Sequence, residues 1–130
     1  MSNPTVINNG PPPPKLEYAE EAVAAAPSDP NLKVKRITVT TDRAIPGAVI
    51  GFVFSGPIEA VANGPDAPSL ENAGVQQCDW GMALQNRDGP IPNTLWVRIN
   101  MPSAFSPGHK LIVTVKSKAD VRVLQVVVVG

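Results

Sequence analysis

Cysteine occurs once in these 130 residues, as Cys78. A single thiol excludes an intrachain disulfide, and an unpaired one fits a reducing compartment. Histidine is as scarce, with His109 alone, which leaves one imidazole for any general-base or zinc chemistry. Aromatics make up 5% of the chain, so an interior has to be filled by Val, Ile, Leu and Ala. Charge of either sign is not in excess: 11 basic and 11 acidic side chains give a net charge of zero. That removes the general electrostatic argument for nucleic acid or an anionic membrane. Long apolar runs are missing too. The run at residues 126–129 is far below the roughly 20 residues that a transmembrane helix needs. The opening Met1-Ser2-Asn3-Pro4 has neither the charged nor the apolar region of a secretory signal, so synthesis in the cytosol is expected, with any export by another route.

Proline is what the chain has in plenty, 15 in all, which points to extended segments and irregular connections. The length suits one domain. Residues 1–30 read differently from the rest. Pro11, Pro12, Pro13 and Pro14 form a run that favours a polyproline II rod. Leu16-Glu17-Tyr18-Ala19-Glu20-Glu21-Ala22-Val23 and three alanines follow, rich in helix formers and stopped by Pro27. The spacing predicts a short helix over 16–26 with Leu16, Ala19, Val23 and Ala26 on one face, although three turns alone are marginal in water. One lysine against four acids gives this segment a charge of −3 and leaves +3 on the remainder. The reading is an extended, acidic arm over 1–30, with a reach of up to about 90 Å, that docks on a basic partner such as a neighbouring copy.

From Asn31 onward the punctuation is that of strands. Ile37-Thr38-Val39-Thr40 alternates after a parity break at Lys35-Arg36, where a bulge is expected. Residues 48–54 are apolar on both faces, as in a central strand, and 58–62 continue them beyond Gly56-Pro57. Residues 63–74 read as a long loop and 86–93 as a turn region. Between them, 75–84 is a strand with Cys78 and Trp80 on one face. Leu95, Val97, Ile99 and Met101 then alternate with Trp96, Arg98 and Asn100, and Leu111, Val113 and Val115 repeat the pattern. Residues 121–129 close the domain. Six or seven strands in about 100 residues predict an all-β, immunoglobulin-like sandwich over 31–130, with a jelly roll as the alternative.

No chemical constellation emerges. His109 stands beside Pro107-Gly108 in a turn, without a nucleophile or an orienting carboxylate in reach, and is expected to be exposed. One His and one Cys thirty-one positions apart match no zinc spacing. Asp66 and Glu71 are too few acids for calcium. The glycines fit no phosphate-cradling pattern. Lys33, Lys35, Arg36 and Arg43 lack interleaved aromatics and read as a solvated face. No catalytic residue, metal or cofactor is therefore assigned. Cys78 and Trp80 read as a core pair, the alternative being a reactive thiol or an aromatic ligand platform. Trp96 lies opposite the apolar row, among Arg98 and Asn100: either another layer covers that face, or Trp96 marks an interface.

Two resemblances add to this. Pro92-Asn93-Thr94-Leu95-Trp96-Val97-Arg98-Ile99-Asn100-Met101-Pro102, followed by Ser106-Pro107-Gly108-His109-Lys110-Leu111-Ile112-Val113-Thr114-Val115, resembles the second half of an IPT/TIG-type immunoglobulin-like domain. Ile45-Pro46-Gly47-Ala48-Val49-Ile50-Gly51-Phe52 is similar to that family's opening. The likeness covers 31–130, departs in the 63–74 loop, and implies a fold without a ligand site. In layout, an extended arm before one such domain resembles the capsid decoration, or cement, proteins of tailed bacteriophages. That likeness implies a non-enzymatic virion protein made in the host cytoplasm. Its partners would be the major capsid protein, other assembly subunits and neighbouring copies in a homo-oligomer, with neither nucleic acid nor membrane bound. The contacts expected are Pro11, Pro12, Pro13, Pro14, Leu16, Tyr18 and Val23 on the arm, and Trp96 and Arg98 on the domain. The alternative is a carbohydrate- or protein-binding module of a cell-surface or enzyme-associated protein, using Trp96, Trp80 and the 63–74 loop.

Overall fold

Apolar side chains two residues apart place themselves on one face of an extended chain, and that period organises the computed structural model of the protein. The structure describes residues 14–129 apart from 26, 29, 63–65, 72–77, 86–88 and 101–103, and gives only the backbone path of 82–85 and 89–92. The strands are β1 (Leu16–Val23), β2 (Lys33–Thr41), β3 (Ile45–Pro46), β4 (Val49–Phe54), β5 (Ala60–Val61), β6 (Ser69–Glu71), β7 (Cys78–Gln85), β8 (Gly89–Ile99), β9 (Ala104–Phe105), β10 (Lys110–Ser117) and β11 (Val123–Val128). No α-helix occurs among the described residues.

One sheet has the order β1-β2-β10, with β5 and β6 sharing the far edge of β10. The other has the order β11-β4-β8-β7, and β3 and β9 form a small ribbon. All pairings are antiparallel. Ile37 and Val39 of β2 with Leu111, Val113 and Val115 of β10 form the inner row of the first sheet. Ile50, Phe52 and Phe54 of β4 with Leu95, Val97 and Ile99 of β8 form that of the second, and all belong to one buried cluster. Each such side chain stabilises the fold by about 1.5–3 kcal/mol relative to exposure. The protein is an all-β sandwich. At Ser106-Pro107-Gly108-His109, the His109 N–H donates to the Ser106 carbonyl at 3.0 Å. Gly108 there has a φ of 89°, the left-handed position after proline that a type II turn requires.

Four expectations are corrected. Residues 16–23 are not helical: they form β1, registered residue by residue from Leu16 against Thr41 to Val23 against Val34. Helix propensity in a short Ala/Glu segment is weak, and β2 offers an unpaired ladder that outweighs it. Part of the 63–74 loop is strand, since β6 pairs with residues 110–112 of β10. The 86–93 turn is partly strand as well, because β8 already begins at Gly89. No bulge sits at Lys35-Arg36, where β2 runs without a register shift against both neighbours. The parity break has another cause. Lys35 opposes Val115 and so projects from the inner side of β2 at the end of the sandwich. There its ammonium donates to Glu20 Oε1 at 3.1 Å and to the Val121 carbonyl, and it lies 3.5 Å from Asp120.

Candidate interaction surface

The two sheets meet along a seam where β1, the edge of one, passes β11, the edge of the other. Tyr18 and Glu20 lie on the same side of β1 as Leu16 and Ala22, following the strand period. The Tyr18 hydroxyl donates to the Val123 carbonyl at 3.3 Å. Glu20 Oε1 accepts from the Val123 N–H at 3.1 Å as well as from Lys35. Further along the seam, Pro14 and Leu16 face Val126, Val127 and Val128 across an open groove of about 250 Å3. Pro14, Leu16 and Tyr18 are thus gathered on the seam. Val23 sits at the far end of β1, beside Lys33, Lys35 and Asp120. Pro11, Pro12 and Pro13 lie outside the described residues.

The middle of the second sheet's outer face is apolar, with Thr94, Arg98, Asp79 and Gln125 on the same face around it. Gly51 of β4 opposes Trp96 of β8, which opposes Gly81 of β7. Both glycines make room for neighbours. A Cβ on Gly81 would stand 2.9 Å from Trp96 Cζ2 and 3.1 Å from its Nε1, and one on Gly51 would stand 2.7 Å from Val129 Cγ2. Trp96 therefore lies half-buried across its own sheet, with Val49 and Val53 on the same outer face and likewise half-buried. Trp96 is neither fully covered nor fully exposed, with a glycine in register on either side of it. Arg98, next along β8, is exposed and donates to Asp79 Oδ2 at 2.6 Å. Gly81→Ala should cost about 1–3 kcal/mol in urea unfolding, the usual penalty of overpacking. In a Trp96→Leu background most of that cost should vanish, because the clash is with the indole.

Val127 belongs to both regions. It lines the groove with Pro14 and Leu16, and its Cγ2 stands 3.5 Å from the Cβ position of Gly51 on the outer face. Apolar surface thus continues from the seam around β11 to Gly51 and its register partner Trp96, with the exposed Val129 against Gly51, while Leu124 is exposed at the register shift of β11. Sequence reasoning missed Leu124, Val127, Val129, Gly51 and Gly81. The signal for the valines was present, a β-branched run without charge, but an edge strand and a buried one read alike. The roles of the glycines exist only in register.

The remaining chemistry is quiet. Cys78 and Trp80 lie on the inner side, opposite Ile99 and Val97. Cys78 is buried in the core, and Trp80 packs against that core. Burial, and secondarily the Asp79 charge, push the thiol up to about 11. Native Cys78 should thus react slowly with a disulfide reagent at neutral pH and quickly once unfolded. A raised thiol pKa favours the folded state below the unfolded value of 9.0, and that contribution is lost as pH rises toward about 11. Urea midpoints should fall over this window, and less so in Cys78→Ala. His109 sits in its turn, yet it is half-buried where exposure is expected, and its Nδ1 is buried without a hydrogen-bond partner. Among the described residues no three His, Cys, Asp or Glu side chains are grouped so as to hold a metal ion.

Compared with known proteins, the chain matches no family model, and no curated protein or solved structure is significantly similar to it.

Proposed function

We propose that the protein is a non-enzymatic structural component that decorates and stabilises a capsid-like assembly, with an immunoglobulin-like sandwich as its body. One observation carries this reading: the apolar surface running from Pro14 and Leu16 around β11 to Trp96. It lies where the first 13 residues, which carry no charged side chain, join the domain. A broad apolar surface of this kind suits a macromolecular partner. In a symmetric shell, many weak copies of one contact sum to firm attachment without a bond-making step. Arg98 and Asp79 supply a polar rim.

The test is sedimentation of the tagged chain produced in its native host. The full chain should migrate with capsid-sized particles, and a chain lacking residues 2–13 should stay at the top of the gradient. The deletion has to stop before Pro14, because β1 is part of the sandwich. Undiminished sedimentation of the shortened chain overturns the role of the arm. A second reading, carbohydrate binding, has one observation in its favour, the indole of Trp96 displayed on an outer face. A glycan-array signal lost in Trp96→Ala would replace the assembly reading with that one.

A further inference from the structure

Three of the four edges of the two main sheets carry the devices that ordinarily stop a strand from pairing with another chain. β1 bears Glu17, Glu20 and Glu21. β5 and β6 are only two and three residues long. β7 carries Asp79 and a register shift between Met82 and Leu84. The fourth edge, β11, has no charge and no proline from Val123 to Val129. Its protection ends early: Tyr18 and Glu20 engage the outward carbonyl and N–H of Val123, and a register shift follows between Val123 and Gln125. Beyond that point the edge is open. The Val129 N–H donates inward to the Val49 carbonyl at 2.7 Å. By the alternation of an antiparallel ladder, Val126 and Val128 therefore present their N–H and C=O groups away from β4.

We propose that this open edge accepts, as an added strand, residues 5–8 of a second copy of the chain. The inference rests on the arm reading, cut back from residues 1–30 to 1–13 because residues 16–23 belong to the sandwich as β1. Four considerations select this occupant. The described chain starts at Pro14, inside the groove beside Val126, Val127 and Val128, so the segment is delivered at the edge. Thr5-Val6-Ile7 is the one β-branched run upstream, and nothing in residues 1–14 carries a charged side chain that the uncharged edge would exclude. Residues two apart, Thr5 and Ile7, match the spacing of Val126 and Val128 and would turn the same way into the groove, against Leu16, leaving Val6 beside Val127. The fourth consideration is direction. Leu16 lies near Val126–Val128 and Tyr18 near Val123, so β1, followed back toward Pro14, runs along β11 toward Val128. To pair with the chain's own edge, residues 5–8 would have to reverse direction before Pro14, across a run of prolines whose φ is fixed. A neighbour's edge asks for no reversal.

The experiment is a mixing test read by sedimentation velocity, with the intact chain as reference. The intact chain should form a discrete oligomer. A chain lacking residues 2–10 keeps the acceptor only. V126P/V128P keeps the donor only: proline there removes outward-facing N–H groups and leaves the ladder bonds to β4, at the loss of two valines that pack against the core. Each variant alone should be monomeric, the deleted chain melting near the intact one and V126P/V128P below it, and the two together should form a 1:1 pair. If V126P/V128P does not fold, Ile7→Asp supplies the defect from the donor side and should abolish the intact chain's oligomer. A synthetic peptide of residues 1–14 should bind the deleted chain and not V126P/V128P. A monomeric intact chain up to about 100 µM, or an oligomer unchanged by Ile7→Asp, overturns the inference. If the intact chain is monomeric while deletion of 2–13 still releases it from particles, this acceptor falls and the arm reading stands. If the variants pair but nothing sediments with particles, the pairing stands and the assembly reading falls.

Discussion

A chain lacking residues 2–26 should melt far below the intact protein, while one lacking residues 2–13 should melt within a few degrees of it. The first deletion removes β1, and with it eight paired positions against β2. It also removes Glu20, the acceptor for both Lys35 and the Val123 N–H. Lys35 is held at the sandwich end with its side chain 14% exposed, so an ammonium left there loses its nearest counter-charge in a poorly solvated place. Leaving a buried polar group without its partner costs about 1–3 kcal/mol, more when it is charged. The new edge, β2, would also face solvent as an unpaired ladder, so the truncated chain should aggregate on heating. Thermal melts by circular dichroism separate the cases. Equal melting of the two deletions would mean that β1 is an appendage, and the seam would lose its structural role.

The second large effect is expected at Phe52. Its side chain is 1% exposed and lies in register between Val126 on β11 and Leu95 on β8. Its ring is nearly parallel to that of Phe54, with centroids 6.3 Å apart. Phe54 is itself fully buried and held in its own register position against Val123, so the space left by the ring would be filled only in part. Phe52→Ala should therefore cost about 3–5 kcal/mol, a large fraction of the roughly 5–15 kcal/mol that stabilises a typical domain. That corresponds to a fall of roughly 10–20 °C in Tm for a chain of this size. Phe52→Leu should recover most of it, because volume is largely kept. A loss under about 1 kcal/mol for Phe52→Ala would show that the two inner rows do not pack as one core.

The seam explains why the first thirty residues are the hardest part of the chain to read. Leu16, Tyr18, Glu20 and Ala22 form one face of a strand, but Glu20 and Ala22 are not apolar anchors, so the period of two is hidden among helix-forming residues. The cause of the strand lies elsewhere in the chain, in Lys35, Val121 and Val123. Lys35 shows the same thing from the other side. As a break in an apolar pattern it suggests a bulge, whereas it is an inward charge satisfied by groups 15 and 86 positions away.

Alternation along residues 37–40, 95–99 and 111–115, beside the short apolar run at 48–54, was enough to establish an all-β chain, because side-chain parity is a local property and a buried face leaves its mark every second residue. The core rows, the proline turn before His109 and the burial of Cys78 beside Trp80 were legible for that reason. Which strand lies at an edge, what stands opposite Trp96, and which segment borders the Val126–Val128 groove were decided only by tertiary structure. Those are questions of register and strand order, set by contacts between residues far apart in the chain, and a one-residue slip would exchange every inner side chain for an outer one.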